Sequence, residues 1–212
     1  MSDKVHRLVV GPLETNCWVY PIDQDGAVII DPGDEADSII SALKKHSLTP
    51  KFILLSHGHF DHIGAVPRLK ETFGAQLRIA IHKQDSMYLG EDAYKVHSVS
   101  IKSAMGSTAF IDAFWKNMPP PDILLEDESE IASFTILHLP GHTQGGVAFW
   151  DRNTAMIFTG DTLFKNGYGR TDLTGGNTQQ LFESLRRLQT LDPNTVVYPG
   201  HGETTTIGME KF

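Results

Sequence analysis

Four short stretches of this chain gather side chains able to bind divalent metal ions. His57, His59, Asp61 and His62 fall in the single run HGHFDH; His142 stands in PGHT, Asp161 in TGD and His201 in PGHG. Each stretch is marked by glycine and comes directly after an apolar, strand-like run. Strand ends of one sheet share an edge, so side chains distant in sequence can converge there. Imidazole nitrogens and carboxylate oxygens suit first-row divalent metals, and the absence of cysteine from the cluster removes the thiolate structural zinc classes. His57 and His59, two apart in an extended turn, project to one side and can chelate one ion. Asp61 and His62 turn the other way as a helix begins, which suits a second ion. Seven ligands exceed what one tetrahedral catalytic metal takes, but fit two metals sharing a carboxylate and a water. His6, His46, His82, His97 and His138 lack any such setting and read as ordinary hydrogen-bonded histidines.

The elements that must position these residues alternate between strand and helix. Strands are expected at Val5–Val10, Cys17–Tyr20, Ala27–Asp31 (closed by Pro32-Gly33), Phe52–Leu55 and Leu77–Ile81. Ile39, Ile40 and Leu43 repeat at helical spacing within Ala36–His46, and a second helix is expected over Ile63–Phe73. The second half offers strands at Ile131–Leu139, Val147–Trp150 and Thr154–Thr159, a helix over Leu181–Leu191 and a strand at Val196–Tyr198. Several strands follow one another directly, so the pattern implies mixed sheets with helices outside, an α+β arrangement rather than a purely parallel doubly wound sheet. Residues 83–122 carry scattered aromatics and end in Pro119-Pro120-Pro121; they read as a partly helical insertion that either overhangs the site or packs away from it. No repeat or linker divides the chain, so residues 1–212 are expected to form one domain.

In order and approximate spacing, HGHFDH, PGHT, TGD and PGHG resemble the successive metal-binding motifs of the metallo-β-lactamase superfamily, over nearly the whole chain. The resemblance implies an αβ/βα sandwich of two mixed sheets. It also implies that His57, His59 and His142 bind one metal, that Asp61, His62 and His201 bind another, and that Asp161 bridges them. Asp31, in IIDPGD, matches a further motif, with an expected supporting role. β-Lactamases of this fold commonly carry cysteine where Asp161 stands, and flavo-diiron reductases carry glutamate where His59 stands; the sequence departs from both. It looks closest to the short relatives of glyoxalase II. LFKNGYGRTDL at 163–173 is similar to the glyoxalase II loop whose basic residue binds the glutathione moiety, and Arg170 takes that place; a surface ion pair between Arg170 and Asp172 is the competing reading. No counterpart of the C-terminal helical domain that completes the glutathione site follows HGETTTIGMEKF.

The expected activity is therefore metal-dependent hydrolysis of a small-molecule thioester or related ester through a metal-bridging hydroxide, with Asp61 and Asp161 as the catalytic carboxylates. A thiolate, with a pKa of roughly 8.5, leaves without a strong general acid, which suits a cluster of ligands with no carboxylate to spare. Two divalent ions are implied, zinc first, with iron or manganese also compatible. The alternatives are a mononuclear iron persulfide dioxygenase using His57, His142 and Asp161, and a metal-binding domain without activity. A formal net charge of -8 argues against a nucleic-acid partner. No stretch approaches the roughly 20 apolar residues of a membrane helix, and MSDKVHRLVVGPLE lacks a signal-peptide pattern. Cys17, the only cysteine, excludes an internal disulfide and reads as a buried apolar thiol; a cytoplasmic location is expected, and the oligomeric state is left open.

Overall fold

A computed structural model describes residues 5–211, apart from the side chains of residues 104, 105 and 110; the outermost residues of the expected 1–212 domain lie outside the described part. The first half pairs β1 (His6–Val10), β2 (Thr15–Pro21), β3 (Gly26–Ile30), β4 (Thr49–Leu54), β5 (Arg78–His82) and β6 (Ile123–Leu125) in that spatial order. The β1–β2–β3 pairs are antiparallel, and the β3–β4–β5–β6 pairs parallel. Parallel neighbours need long crossovers. These are α1 (Ala36–Lys45), α2 (Phe60–Ile63) with α3 (Val66–Phe73), and α4 (Ala93–Met105) with α5 (Ala109–Phe114). The expected insertion is thus the crossover from β5 to β6.

The second half forms a sheet of β7 (Glu130–Ile131), β8 (Phe134–His138), β9 (Val147–Asp151), β10 (Met156–Gly160), β13 (Val196–Pro199) and β14 (Thr205–Thr206), in the order β14-β13-β10-β9-β8-β7. Only the β10–β13 pair is parallel; α6 (Thr178–Leu188) lies in its crossover, after a small hairpin of β11 (Leu163–Phe164) and β12 (Gly167–Tyr168). The Asn177 side chain accepts the Gln180 N–H at 3.0 Å and caps α6, a contact worth about 1 kcal/mol.

Side-chain alternation produces three packed layers. Along β3, Ala27 and Ile29 face α1 and α3, while Val28 and Ile30 face the second sheet. Along β10, Met156 and Phe158 meet that central layer, while Ile157 turns to Leu181, Leu185 and Leu188 of α6. Strands buried on both faces read as continuous apolar runs, which is why AVII and FILL carry so little alternation. The result is two mixed sheets face to face with helices outside.

The helix expected over Leu181–Leu191 spans Thr178–Leu188, the strand expected at Thr154–Thr159 spans Met156–Gly160, and further differences have a local cause. The strand expected over 131–139 is two, because Ala132 at φ 51° turns the chain between β7 and β8. The helix expected from Ile63 begins at Phe60 and is interrupted at 64–65. β4 begins at Thr49 and absorbs Pro50 at a register shift opposite Ala27 and Val28. The short strands β6, β11, β12 and β14 carry too few residues to show a period.

Candidate metal centre

The metal-type side chains meet at one edge of the sandwich. His57 and His59 follow β4, His142 follows β8, Asp161 follows β10 and His201 follows β13. Backbone bonds tie these loops together: between the sheets Val147 N–H donates to the Ser56 carbonyl at 2.8 Å and Asn16 N–H to the Gly200 carbonyl at 2.7 Å, and within the second sheet Gly200 N–H donates to the Gly160 carbonyl at 2.8 Å. Glycine is required where loops nearly touch. A Cβ on Gly200 would stand 2.2 Å from Asp161 Oδ1, and one on Gly58 would stand 2.1 Å from the Tyr88 ring.

Three groupings bring ligand atoms within 4.8 Å of one another: His57, His59 and His142; Asp61, His62 and His201; and His57, His62 and Asp161. Asp161 joins the first two. Its Oδ2 lies 3.5 Å from His142 Nε2 and 3.6 Å from His201 Nε2, and its Oδ1 lies 3.3 Å from His62 Nε2. Asp61 Oδ2 lies 3.5 Å from His62 Nε2 and 3.4 Å from His201 Nε2, and it accepts the Thr15 hydroxyl at 3.1 Å. All seven residues singled out as ligands therefore converge. His6 stacks on His46, His82 stacks on His138, and His97 bonds to the Tyr88 carbonyl, all outside these groupings.

The imidazoles are oriented from behind. His57 Nδ1 lies 3.0 Å from Ser56 Oγ, whose hydroxyl donates to Asp31 Oδ2 at 2.6 Å, and His62 Nδ1 donates to the same Asp31 oxygen at 3.1 Å. Asp31 Oδ1 takes the Ser56 N–H at 2.7 Å. His142 Nδ1 donates to the Arg170 carbonyl at 2.7 Å. Protons on Nδ1 leave each Nε2 with its lone pair toward the centre. The Nε2 atoms of His57, His59, His62 and His142, with Asp161 Oδ1, are buried without a hydrogen-bond partner. Buried polar atoms are seldom left so; converging donors of this kind fit divalent cations.

The electrostatics agree. Burial holds His57 well below its ordinary range and, with neighbouring His142, brings His59 down to about 3, so both are neutral at pH 7, as imidazoles that bind a metal must be. Burial works against ionised Asp61 and Asp161, yet His62 and other imidazoles hold both below the usual carboxylate range. Burial likewise works against charged His62, but Asp161 and Asp61 draw it well above the ordinary histidine range; His201 also moves upward against burial, held by Asp61 and Asp161. Without cations these histidines hold protons that metal would displace.

Two residues stand apart from the sequence expectations. Asp85, just after β5, is fully buried; its Oδ2 accepts the Gly58 N–H at 3.0 Å and the Thr143 hydroxyl at 2.7 Å, and its Oδ1 accepts the Gly145 N–H at 2.7 Å. It joins the loop of His57 and His59 to that of His142, and the only sequence signal for it is an acid placed directly after an apolar strand. The Arg170 guanidinium, on the surface, forks onto Asp172 at 2.7 and 2.6 Å. That is the ion pair weighed above against a substrate role; the Arg170 backbone is what touches the centre. Cys17, within β2, is fully buried, and burial pushes its thiol far above the ordinary range, so it is no nucleophile.

Residues 10–201 match the Metallo-beta-lactamase superfamily. The hydroxyacylglutathione hydrolase GloC of Haemophilus influenzae is 37% identical, over 98% of this chain and 94% of its own. Two crystal structures superpose closely: BLEG-1 B3 metallo-beta-lactamase, with a TM-score of 0.84, 35% identity and coverage of 97% and 95%, and TTHA1623 in a di-iron-bound form, with 0.82, 37%, 97% and 96%.

Proposed function

The chain belongs to the metallo-β-lactamase superfamily, and we propose that within it this protein hydrolyses a small-molecule thioester at a dinuclear metal centre. The observation that carries the reading is the Asp161 carboxylate, one oxygen of which faces His142 of the first grouping and His201 of the second. His57, His59 and His142 would hold one ion, Asp61, His62 and His201 the other, and Asp161 both. When bound, the ions supply Lewis-acid chemistry, lowering the pKa of water toward neutrality and polarising a carbonyl. The protein's part is positional. Asp31, Ser56 and the Arg170 carbonyl fix the imidazole tautomers, and Thr15 steadies Asp61. With both carboxylates engaged as ligands, none is left to protonate a leaving group. A thiolate, of pKa roughly 8.5, needs no such acid, whereas an amine or alkoxide does. The similarity to a hydroxyacylglutathione hydrolase supports the same choice.

Zinc is the proposed metal. The di-iron-bound neighbour supports iron as an alternative metal; the second reading is a mononuclear iron persulfide dioxygenase that would use His57, His142 and Asp161. The similarity to a B3 metallo-beta-lactamase places β-lactams among the substrates to be tested. The test is elemental analysis of protein purified without chelator, then assays with zinc and with iron against glutathione thioesters, β-lactams and a persulfide under oxygen. Two metal equivalents with selective thioester turnover are expected; β-lactam turnover or oxygen uptake on persulfide without thioester hydrolysis would replace the proposal.

A further inference from the structure

Beside Asp61 a narrow cavity of about 20 Å³ runs between the β1–β2 loop and Phe60, with Leu13, Thr15 and Asp61 among its walls. It shares Pro12, Gly33, Asp34 and Phe60 with a larger cavity of about 220 Å³ walled by Phe114 and Trp115 at the end of α5. Phe60 and Trp115 lie face to face with ring centroids 6.3 Å apart. Leu13, in the wall that Asp61 also lines, and Phe114, in the wall of the larger cavity, are 59% and 60% exposed. Large exposed apolar clusters mark binding sites. A dry apolar cavity of roughly 150 Å³ takes a benzene ring; the larger cavity has room for a ring and the carbons joining it to a carbonyl. The charges on its walls are Asp34 and Lys116, one of each sign, so they favour neither a cation nor an anion.

Resting on the thioesterase reading above, we propose that these two neighbouring cavities take the acyl arm of the substrate, and that this arm is an uncharged apolar group about the size of a phenyl ring. The occupant reaches the centre past Asp61 and Thr15 and lies against Phe60 and Trp115. The crossover from β5 to β6 thereby gains a function: α5 supplies one wall of the specificity pocket.

The test compares acetyl and phenylacetyl thioesters of one thiol, N-acetylcysteamine, on the metal-loaded protein. The ratio of kcat/KM should favour phenylacetyl by about tenfold or more, and Trp115→Ala should remove most of that preference. Ala113→Phe, at an exposed position lining the cavity, should lower the same ratio by filling the space, and serves if Trp115→Ala fails to fold. Equal efficiency with both acyl groups, or a preference that survives both substitutions, overturns the proposal. If neither thioester is hydrolysed, the thioesterase reading fails by itself and the cavity is judged by binding. Fluorine NMR of para-fluorophenylacetate should then show broadening with the parent protein that is lost in the variants. No broadening, or equal broadening in the variants, overturns the pocket.

Discussion

Asp85 accepts the Thr143 hydroxyl at 2.7 Å, and through this bond the start of the β5–β6 crossover holds the residue next to His142. The same carboxylate takes the N–H of Gly58, between His57 and His59, so one buried acid ties the part of the HGHFDH run that carries His57 and His59 to the loop of His142. Burial raises its pKa, while three donated hydrogen bonds oppose the rise. Asp85→Asn puts an amide donor where only donors point. Partners that orient ligands are worth roughly 10–100-fold in metal affinity. The expected outcome is loss of one metal equivalent with the Asp61, His62 and His201 equivalent retained, read by cobalt titration and absorption spectra. Equal weakening of both equivalents would indicate general destabilisation instead.

Asp161→Ala should abolish dinuclear binding and nearly all hydrolysis, because it removes the group that faces both sets of imidazoles and leaves His62 Nε2 without its 3.3 Å carboxylate contact. Elemental analysis finding two ions per chain in an active variant would refute the shared role.

How far the sequence discloses this centre follows from residue chemistry. His57, His59, His142 and His201 are legible because imidazoles beside glycine at apolar strand ends have few other uses, and the central strands of the first sheet follow from the runs AVII and FILL. Asp85 is not legible: a single acid in HKQDS has no period, and its importance comes from loops 27 and 58 residues away that only the fold delivers. Arg170 is legible only in part. Its motif draws attention to the side chain, while the structure places the backbone carbonyl against His142. The cavity beside Phe60 joins residues of the β1–β2 loop to residues of α5, a pairing that sequence periodicity cannot express.

His138→Gln should leave metal content unchanged. His138 ends β8, stacks on His82 with centroids 4.1 Å apart, and donates from Nε2 to the Gln144 carbonyl at 2.9 Å, so its ring faces away from the ligand groupings. Loss of a metal equivalent in this variant, measured by elemental analysis, would show the ligand set to be misassigned.

His97 in α4 is buried against Trp115 and Tyr88, and burial lowers its pKa to about 4. A folded-state pKa below the unfolded value near 6.5 gives stability that is complete above 6.5 and is lost as pH falls toward 4. At pH 5 this one group accounts for about 2 kcal/mol of acid destabilisation. His97→Gln should therefore cost less stability relative to the parent at pH 5 than at pH 7, by an amount of that order. Parallel denaturation curves at the two pH values, with an unchanged difference, would remove His97 as the titrating group.

Arg170 decides whether the GRTD loop reads the substrate or merely braces the surface. Its fork onto Asp172 is on the surface, and the Asp172 carboxyl, held mainly by that hydrogen bond, falls to about 2. Exposed ion pairs are worth about 0–1 kcal/mol, so the pair is a weak internal partner that a substrate carboxylate could replace. Arg170→Met leaves the carbonyl that orients His142 in place, because that contact is backbone. The melting temperature should barely move and metal content should stay constant. For a carboxylated thioester KM should rise roughly tenfold or more, from a lost charge-assisted contact of about 1.5–3 kcal/mol, with a much smaller rise for a neutral thioester of the same acyl group. The ratio of the two KM changes is the diagnostic, since a bracing role alters both substrates alike. Equal changes, or a marked fall in melting temperature, would confine Arg170 to its pair with Asp172.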